Sequence, residues 1–129
     1  MRPPNPQDIA AALAPVHAHL PPTPLIRCPA LSARFGCDLS LKCEIFQPVG
    51  AFKVRGALNA VLAGMERGDR RPVIAASAGN HAAGLAWAAS RAGLDAVAVV
   101  PKGAPRSKID CIELYGAQVV EDGADFEEA

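Results

Sequence analysis

Two short segments carry residue types whose spacing could do chemistry. The first is Gln47-Pro48-Val49-Gly50-Ala51-Phe52-Lys53-Val54-Arg55-Gly56-Ala57. From Phe52 to Met65 the apolar positions Val54, Ala57, Leu58, Val61, Leu62 and Met65 follow helical spacing, so Lys53 falls in a first helical turn. The helix dipole presents partial positive charge at that end and disfavours an ammonium group there. With any burial, the same field favours a neutral, nucleophilic amine of the kind that condenses with carbonyl compounds. Taken alone, the segment reads first as a helix with a solvated surface lysine.

The second segment is Ala75-Ala76-Ser77-Ala78-Gly79-Asn80-His81. A short apolar strand runs into a glycine-containing turn and then a helix, with Asn80 expected as its N-cap. Backbone N–H groups exposed at such a turn form a site for a carboxylate or phosphate. By itself the segment reads equally well as a strand–helix turn with a cap. Neither nucleotide fingerprint is present. Gly79 and Gly84 do not have G-x-G-x-x-G spacing, and Leu85-Ala86 stands where a P-loop needs Lys-Ser/Thr.

The elements that must position these segments follow from periodicity. Seven of the 12 prolines fall in residues 1–24, around one short helical stretch from Gln7 to Ala14 with Ile9 and Leu13 one turn apart. This part reads as an arm lying across another body of protein. Leu39, Leu41, Cys43 and Ile45 alternate with polar residues as a half-buried strand does. Val73–Ala76 and Ala96–Val100 read as buried parallel strands, the second closed by Pro101. An alanine-rich helix over 80–92 stops at Gly93. Pro105 opens a further helix with Ile109, Ile112 and Tyr115 as its stripe, ended by Gly116, and Gln118-Val119-Val120 begins a fourth strand. The order β-α-β-α-β-α-β predicts an α/β fold with an open parallel sheet and flanking helices. Ligands in such sheets bind beyond the carboxyl ends of the strands, which would make the two segments neighbours on one edge.

Composition excludes some classes. Of 129 residues, 13 are Lys or Arg and 13 are Asp or Glu, so no net charge steers the chain to nucleic acid or an acidic membrane. No apolar run approaches a membrane span, and the N-terminus lacks a signal-peptide core. Cys28, Cys37, Cys43 and Cys111 form no C-x-x-C pair and no zinc spacing, so no metal is expected. They read as reduced, mostly buried thiols of a cytoplasmic protein. His17, His19, Lys102 and Lys108 read as surface residues, and Trp87 as core.

Taken together, four segments in order resemble the fold-type-II pyridoxal-phosphate (PLP) enzymes, and most of all their serine/threonine dehydratase branch. They are Thr23-Pro24-Leu25, Lys42-Cys43-Glu44, Gln47–Ala57 and Ser77-Ala78-Gly79-Asn80-His81-Ala82-Ala83-Gly84. The resemblance runs from about Thr23 to Gly123 and takes in Val100-Pro101-Lys102-Gly103. It implies a tryptophan-synthase-β-like fold, with residues 1–37 an arm of a larger domain and residues 38–129 an incomplete smaller α/β domain. It implies PLP as cofactor, held as a Schiff base by Lys53, which then acts as base at the substrate's Cα. Phe52 would pack beside the ring and Asn80 would hydrogen-bond the 3-hydroxyl. Ser77, Gly79, Asn80 and His81 would bind the carboxylate of a small hydroxy amino acid.

The implied reaction is loss of ammonia from L-threonine or L-serine to give a 2-oxo acid, in a protein that forms a homo-oligomer when full length. Racemases of this group carry a serine just before the Gly-Asn-His glycine; here that residue is Ala78, which leans the resemblance towards elimination. The glycine-rich loop that holds the PLP phosphate in the family has no counterpart in these residues, so the chain reads as an N-terminal portion with little or no turnover alone. A related PLP lyase, a racemase, or a truncated non-catalytic protein are the other readings.

Overall fold

In the computed structural model, residues 3–125 and Glu128 are described. The chain begins with α1 (Pro6–His17), then β1 (Leu25–Arg27), α2 (Pro29–Phe35) and β2 (Ser40–Lys42). A single 3-10 turn, Glu44–Phe46, leads to α3 (Lys53–Glu66). Then follow β3 (Val73–Ala76), α4 (Asn80–Ala92), β4 (Ala96–Val100), α5 (Arg106–Leu114) and β5 (Gln118–Glu121). None of the described helices is long and apolar enough to cross a membrane.

The expected parallel sheet is present as three strands in the order β3-β4-β5. Strand β4 is central, and its Ala96, Ala98 and Val100 are buried. Strand β3 lies at an edge, so Ile74 is 67% exposed and only Ala75 is buried, against the expectation of a fully buried strand. The strand expected over residues 39–45 does not join this sheet. It shortens to β2, which pairs antiparallel with β1 in the register Leu25↔Lys42, Ile26↔Leu41, Arg27↔Ser40. Its alternating pattern is the signature of an antiparallel, one-sided strand, whereas a doubly covered parallel strand reads as a continuous apolar run.

Helix α1 is longer than its sequence pattern implies. Asn5 and Asp8 form a reciprocal cap, with the Asn5 N–H donating to Asp8 Oδ2 at 2.8 Å and the Asp8 N–H to Asn5 Oδ1 at 2.9 Å. Its buried side chain is Val16, while Ile9 and Leu13 stay exposed. Pro105 precedes α5 as its cap and is not its first helical residue. The cysteines are also less buried than expected. All are free; Cys37 is exposed and the other three are half-buried, Cys28 and Cys43 around the β1–β2 pair and Cys111 on α5 at the margin of the cluster there.

Two apolar clusters flank α4. One lies between α4, α5 and the sheet, around Ala82, Ala86, Ala98, Val100, Ile109 and Ile112. The other joins α4 to α3 and to the end of α1 through Val16, Leu20, Val54, Leu58 and Ala88. Helix α4 is therefore covered on two sides, and small residues let both neighbours come close. The limit is reached at Gly84. A Cβ there would lie 3.2 Å from the Cα and N of Val54 and 3.3 Å from the carbonyl carbon of Lys53. This glycine seats the first turn of α3 against α4.

A polar clamp fixes α3 from the other side. The Arg55 guanidinium donates twice to Glu44, Nε to Oε2 at 2.7 Å and Nη2 to Oε1 at 3.0 Å. Buried Thr23 donates its hydroxyl to Glu44 Oε1 at 2.5 Å, and Lys42 Nζ donates to the Thr23 carbonyl at 2.7 Å. The Arg55 hydrogen bonds hold the Glu44 carboxyl far below the usual range, at about 2, against an upward pull from burial and with smaller help from Thr23 and Lys42. Through this clamp, and through Val16 and Leu20, residues 1–37 are tied to the remainder.

Gly84→Ala sets overpacking, at roughly 1–3 kcal/mol, against about 1 kcal/mol of regained helix propensity. Because clamped backbone must give way, thermal denaturation should show a net loss of about 1 kcal/mol. Gly64→Ala, with nothing within 4 Å of its Cβ, should raise stability instead; a gain at Gly84 matching that at Gly64 would contradict the close contact. For Glu44 the folded pKa lies below the unfolded one. Its contribution is therefore complete above the usual pKa of 4.5 and is lost as pH falls through about 2. The stability difference between the native chain and Glu44→Gln should be about 2 kcal/mol near neutrality, less than for a fully buried pair. Melting curves from pH 7 down to 2 should show that difference shrink steadily; a constant difference would refute the clamp.

Candidate active site

Lys53 is the first residue of α3, preceded by Phe52, which offers no side-chain cap. The Lys53 amine sits over the Phe52 ring, 5.4 Å from its centroid, and both residues are exposed. The loop before them is held firmly. The Gly50 N–H donates to the Gln47 carbonyl at 2.8 Å, and Gly50 has φ +65°, a conformation that favours glycine. Tyr115, at the end of α5, donates its hydroxyl to the Pro48 carbonyl. Burial, and secondarily the nearby Cys111 thiol, push the Tyr115 phenol upward, which keeps it protonated as a donor.

The second segment leaves the carboxyl end of β3. The Ser77 N–H continues the ladder to the Val99 carbonyl at 2.9 Å, and the Ser77 hydroxyl accepts from the Gly79 N–H at 3.2 Å. The cap of α4 is Gly79, with extended backbone and no side chain, so Asn80 is the first helical residue and not the cap expected from the sequence. The consequence is chemical. Among the described residues the Asn80 amide makes no hydrogen bond, and it stands exposed beside His81 at a helix N-terminus. Ser77 and Gly79 are half-buried and Ala78 is buried.

The close contact at Gly84 brings the two segments together. Gly84 lies about one turn after Asn80, and the Lys53–Val54 backbone packs against it. The backbone of Lys53 thus lies near the first turn of α4, which the Ser77–His81 segment leads into. The route differs from the expected one: the lysine loop does not leave a strand of the parallel sheet and reaches the site through α3–α4 packing. Ser107, Lys108 and Cys111 of α5 line a cleft of about 370 Å³ with Ala78, Gly79, Asn80 and Ala83; Lys53 is not part of its lining. The sequence marks Lys108 first as a surface charge, flanking a loop on the active edge where a phosphate contact is also open to it. The Glu44–Arg55 clamp is visible in the sequence only as opposite charges inside two quoted motifs.

Lys102 approaches Asp122 at 3.8 Å on the surface. His17 and His19 are exposed, and Trp87 is half-buried against the α3–α4 cluster.

The family described as "Pyridoxal-phosphate dependent enzyme" matches residues 16–129. A serine racemase of Oryza sativa subsp. indica is 37% identical over 113 residues, covering 88% of this chain and 33% of that protein. The biosynthetic L-threonine dehydratase IlvA of Pasteurella multocida is 44% identical over 108 residues, covering 83% of this chain and 21% of that protein. The structure of the processed form of threonine deaminase isoform 2 from Solanum lycopersicum superposes with a TM-score of 0.82 at 35% identity, over 97% of this chain and 36% of that one. The chain thus spans about a third or less of the length of these curated relatives. With the family's match covering most of its residues, the chain belongs to the pyridoxal-phosphate dependent enzymes.

Proposed function

We propose that this chain contributes the lysine side of the active site of a PLP-dependent ammonia-lyase acting on L-threonine or L-serine. The observation that carries the reading is the seating of the Lys53–Val54 backbone against Gly84, about one turn from Asn80 and the open α4 N-terminus. The donor set fits the cofactor's chemistry: a primary amine for its aldehyde, an uncommitted amide for its 3-hydroxyl, and an exposed ring, Phe52, for its flank. When bound, PLP supplies an electron sink for the pair left at the substrate's Cα.

The chain's own residues would do the remainder. Lys53 would hold the cofactor and, as a free amine, would take the proton from the substrate's Cα. Ser77, Gly79, Asn80 and His81 receive the carboxylate through side chains and N–H groups at the start of α4, where the helix dipole favours an anion. That grip orients the Cα–H bond towards Lys53. Products are ammonia and a 2-oxo acid. By resemblance to the family alone, we read residues 1–37 as an arm of a larger domain and 38–129 as the smaller domain. We also read the complete protein as a homo-oligomer, by resemblance to the family alone.

Racemisation is the second reading, favoured by the serine racemase relative. It needs a proton donor on the cofactor face opposite the lysine. Ala78, at the position where racemases of the group present serine, offers only a buried methyl group.

With PLP and L-serine, any turnover should yield 2-oxo acid and ammonia in equal amounts, with D-serine below about a tenth of either. D-serine as the main product would establish the racemase reading instead. Lys53→Ala should reduce product formation by about 1,000-fold or more, because both holding and proton transfer are lost; retention of native rates would overturn the assignment. In Ala78→Ser, chiral chromatography should reveal D-serine above the native background.

A further inference from the structure

We propose that the Glu44–Arg55 ion pair is the positioning element of the Lys53 amine, setting the rotation of α3 about its own axis. The inference rests on the reading of Lys53 as the cofactor lysine. At the start of α3 the usual anchors are missing: the cap residue Phe52 makes no side-chain hydrogen bond, and no acidic residue occupies the first turn. Of the side chains there, Val54 is fully buried and gives packing without direction. Arg55 alone is tied to another element by polar bonds, and its two bonds to one carboxylate fix a plane and not merely a distance.

The geometry separates anchor from amine. At about 100° per residue, positions 53 and 55 lie on nearly opposite faces of the helix. The clamp can therefore hold α3 while the lysine side chain remains free to swing between cofactor and proton. The anchor is itself immobile: Glu44 is gripped by Thr23, whose carbonyl is held by Lys42, and Thr23 is 8% exposed. Gly84 fixes how close α3 approaches α4, and Arg55 fixes how it is turned. A lysine Nζ stands several ångströms off the helix axis, so a rotation of about 10° carries it about 1 Å, enough to cost on the order of 100-fold in a reaction that needs alignment.

The test compares labelling at two lysines of the same molecule. The chain is mixed with PLP, reduced with borohydride at fixed times, and the label on Lys53 and on exposed Lys102 is measured by peptide mass spectrometry. Circular dichroism on each sample confirms that it is folded. The native chain should label Lys53 well ahead of Lys102. Arg55→Lys keeps the charge but not the two-point grip, and should lower the Lys53-to-Lys102 ratio by 10- to 100-fold. Glu44→Gln and Thr23→Val, milder changes to the same clamp, should lower it less and in that order. A purely structural pair would change the melting temperature and leave the ratio in folded samples untouched. Native ratios in all folded variants overturn the positioning role, while no preference for Lys53 in the native chain overturns the cofactor reading itself.

Discussion

The contact between the Lys53–Val54 backbone and Gly84 is the constraint on which the site depends. Two helices come so close there that a methyl group would be too near to three backbone atoms. Such closeness is available only where one helix carries no side chain, and in α4 that place is one turn inside the helix, not at its tip. The start of α3 is thereby brought beside the start of α4. The backbone of Lys53 thereby lies about one helical turn from Asn80, whose carboxamide makes no hydrogen bond among the described residues.

Rigidity and freedom are divided between backbone and side chain. The loop before Lys53 is tied by the Gly50 turn and by Tyr115, and the turn after it by Arg55 and Glu44. Val54 is sealed between helices. The lysine side chain, over the Phe52 ring, makes no hydrogen bond among the described residues. A residue that must hold a cofactor, release it and then move a proton needs such an arrangement. Misplacement costs rate, and immobility would prevent the exchange.

Much of this is legible in the sequence, and the failures have physical reasons. Helices α3 and α4 are readable because their apolar spacing is regular and Gly93 stops the second. The parallel strands are readable because Val97, Val99 and Val100 form a continuous apolar run. Residues 39–45 mislead for the opposite reason: alternation marks a strand but not its sheet, and partnership with Leu25–Arg27 is a long-range fact. The cap of α4 is misplaced by one residue because Asn is a good N-cap in isolation, whereas here the extended backbone of Gly79 takes that role and frees the amide. The Glu44–Arg55 clamp is beyond reach, since two charges eleven positions apart carry no spacing signal. The roles proposed for Lys53 and Asn80 come from family resemblance; packing at Gly84 brings the starts of their two helices together.

The central claim is that Lys53 and the Ser77–His81 turn form one binding site for one cofactor. A crystal structure of the chain after soaking with PLP measures this most directly. The account predicts density continuous from Lys53 Nζ to the cofactor, with the Asn80 side chain within hydrogen-bonding distance of its 3-hydroxyl. Cofactor joined to Lys42, Lys102 or Lys108, or a Lys53 side chain directed away from residues 77–81, would contradict it.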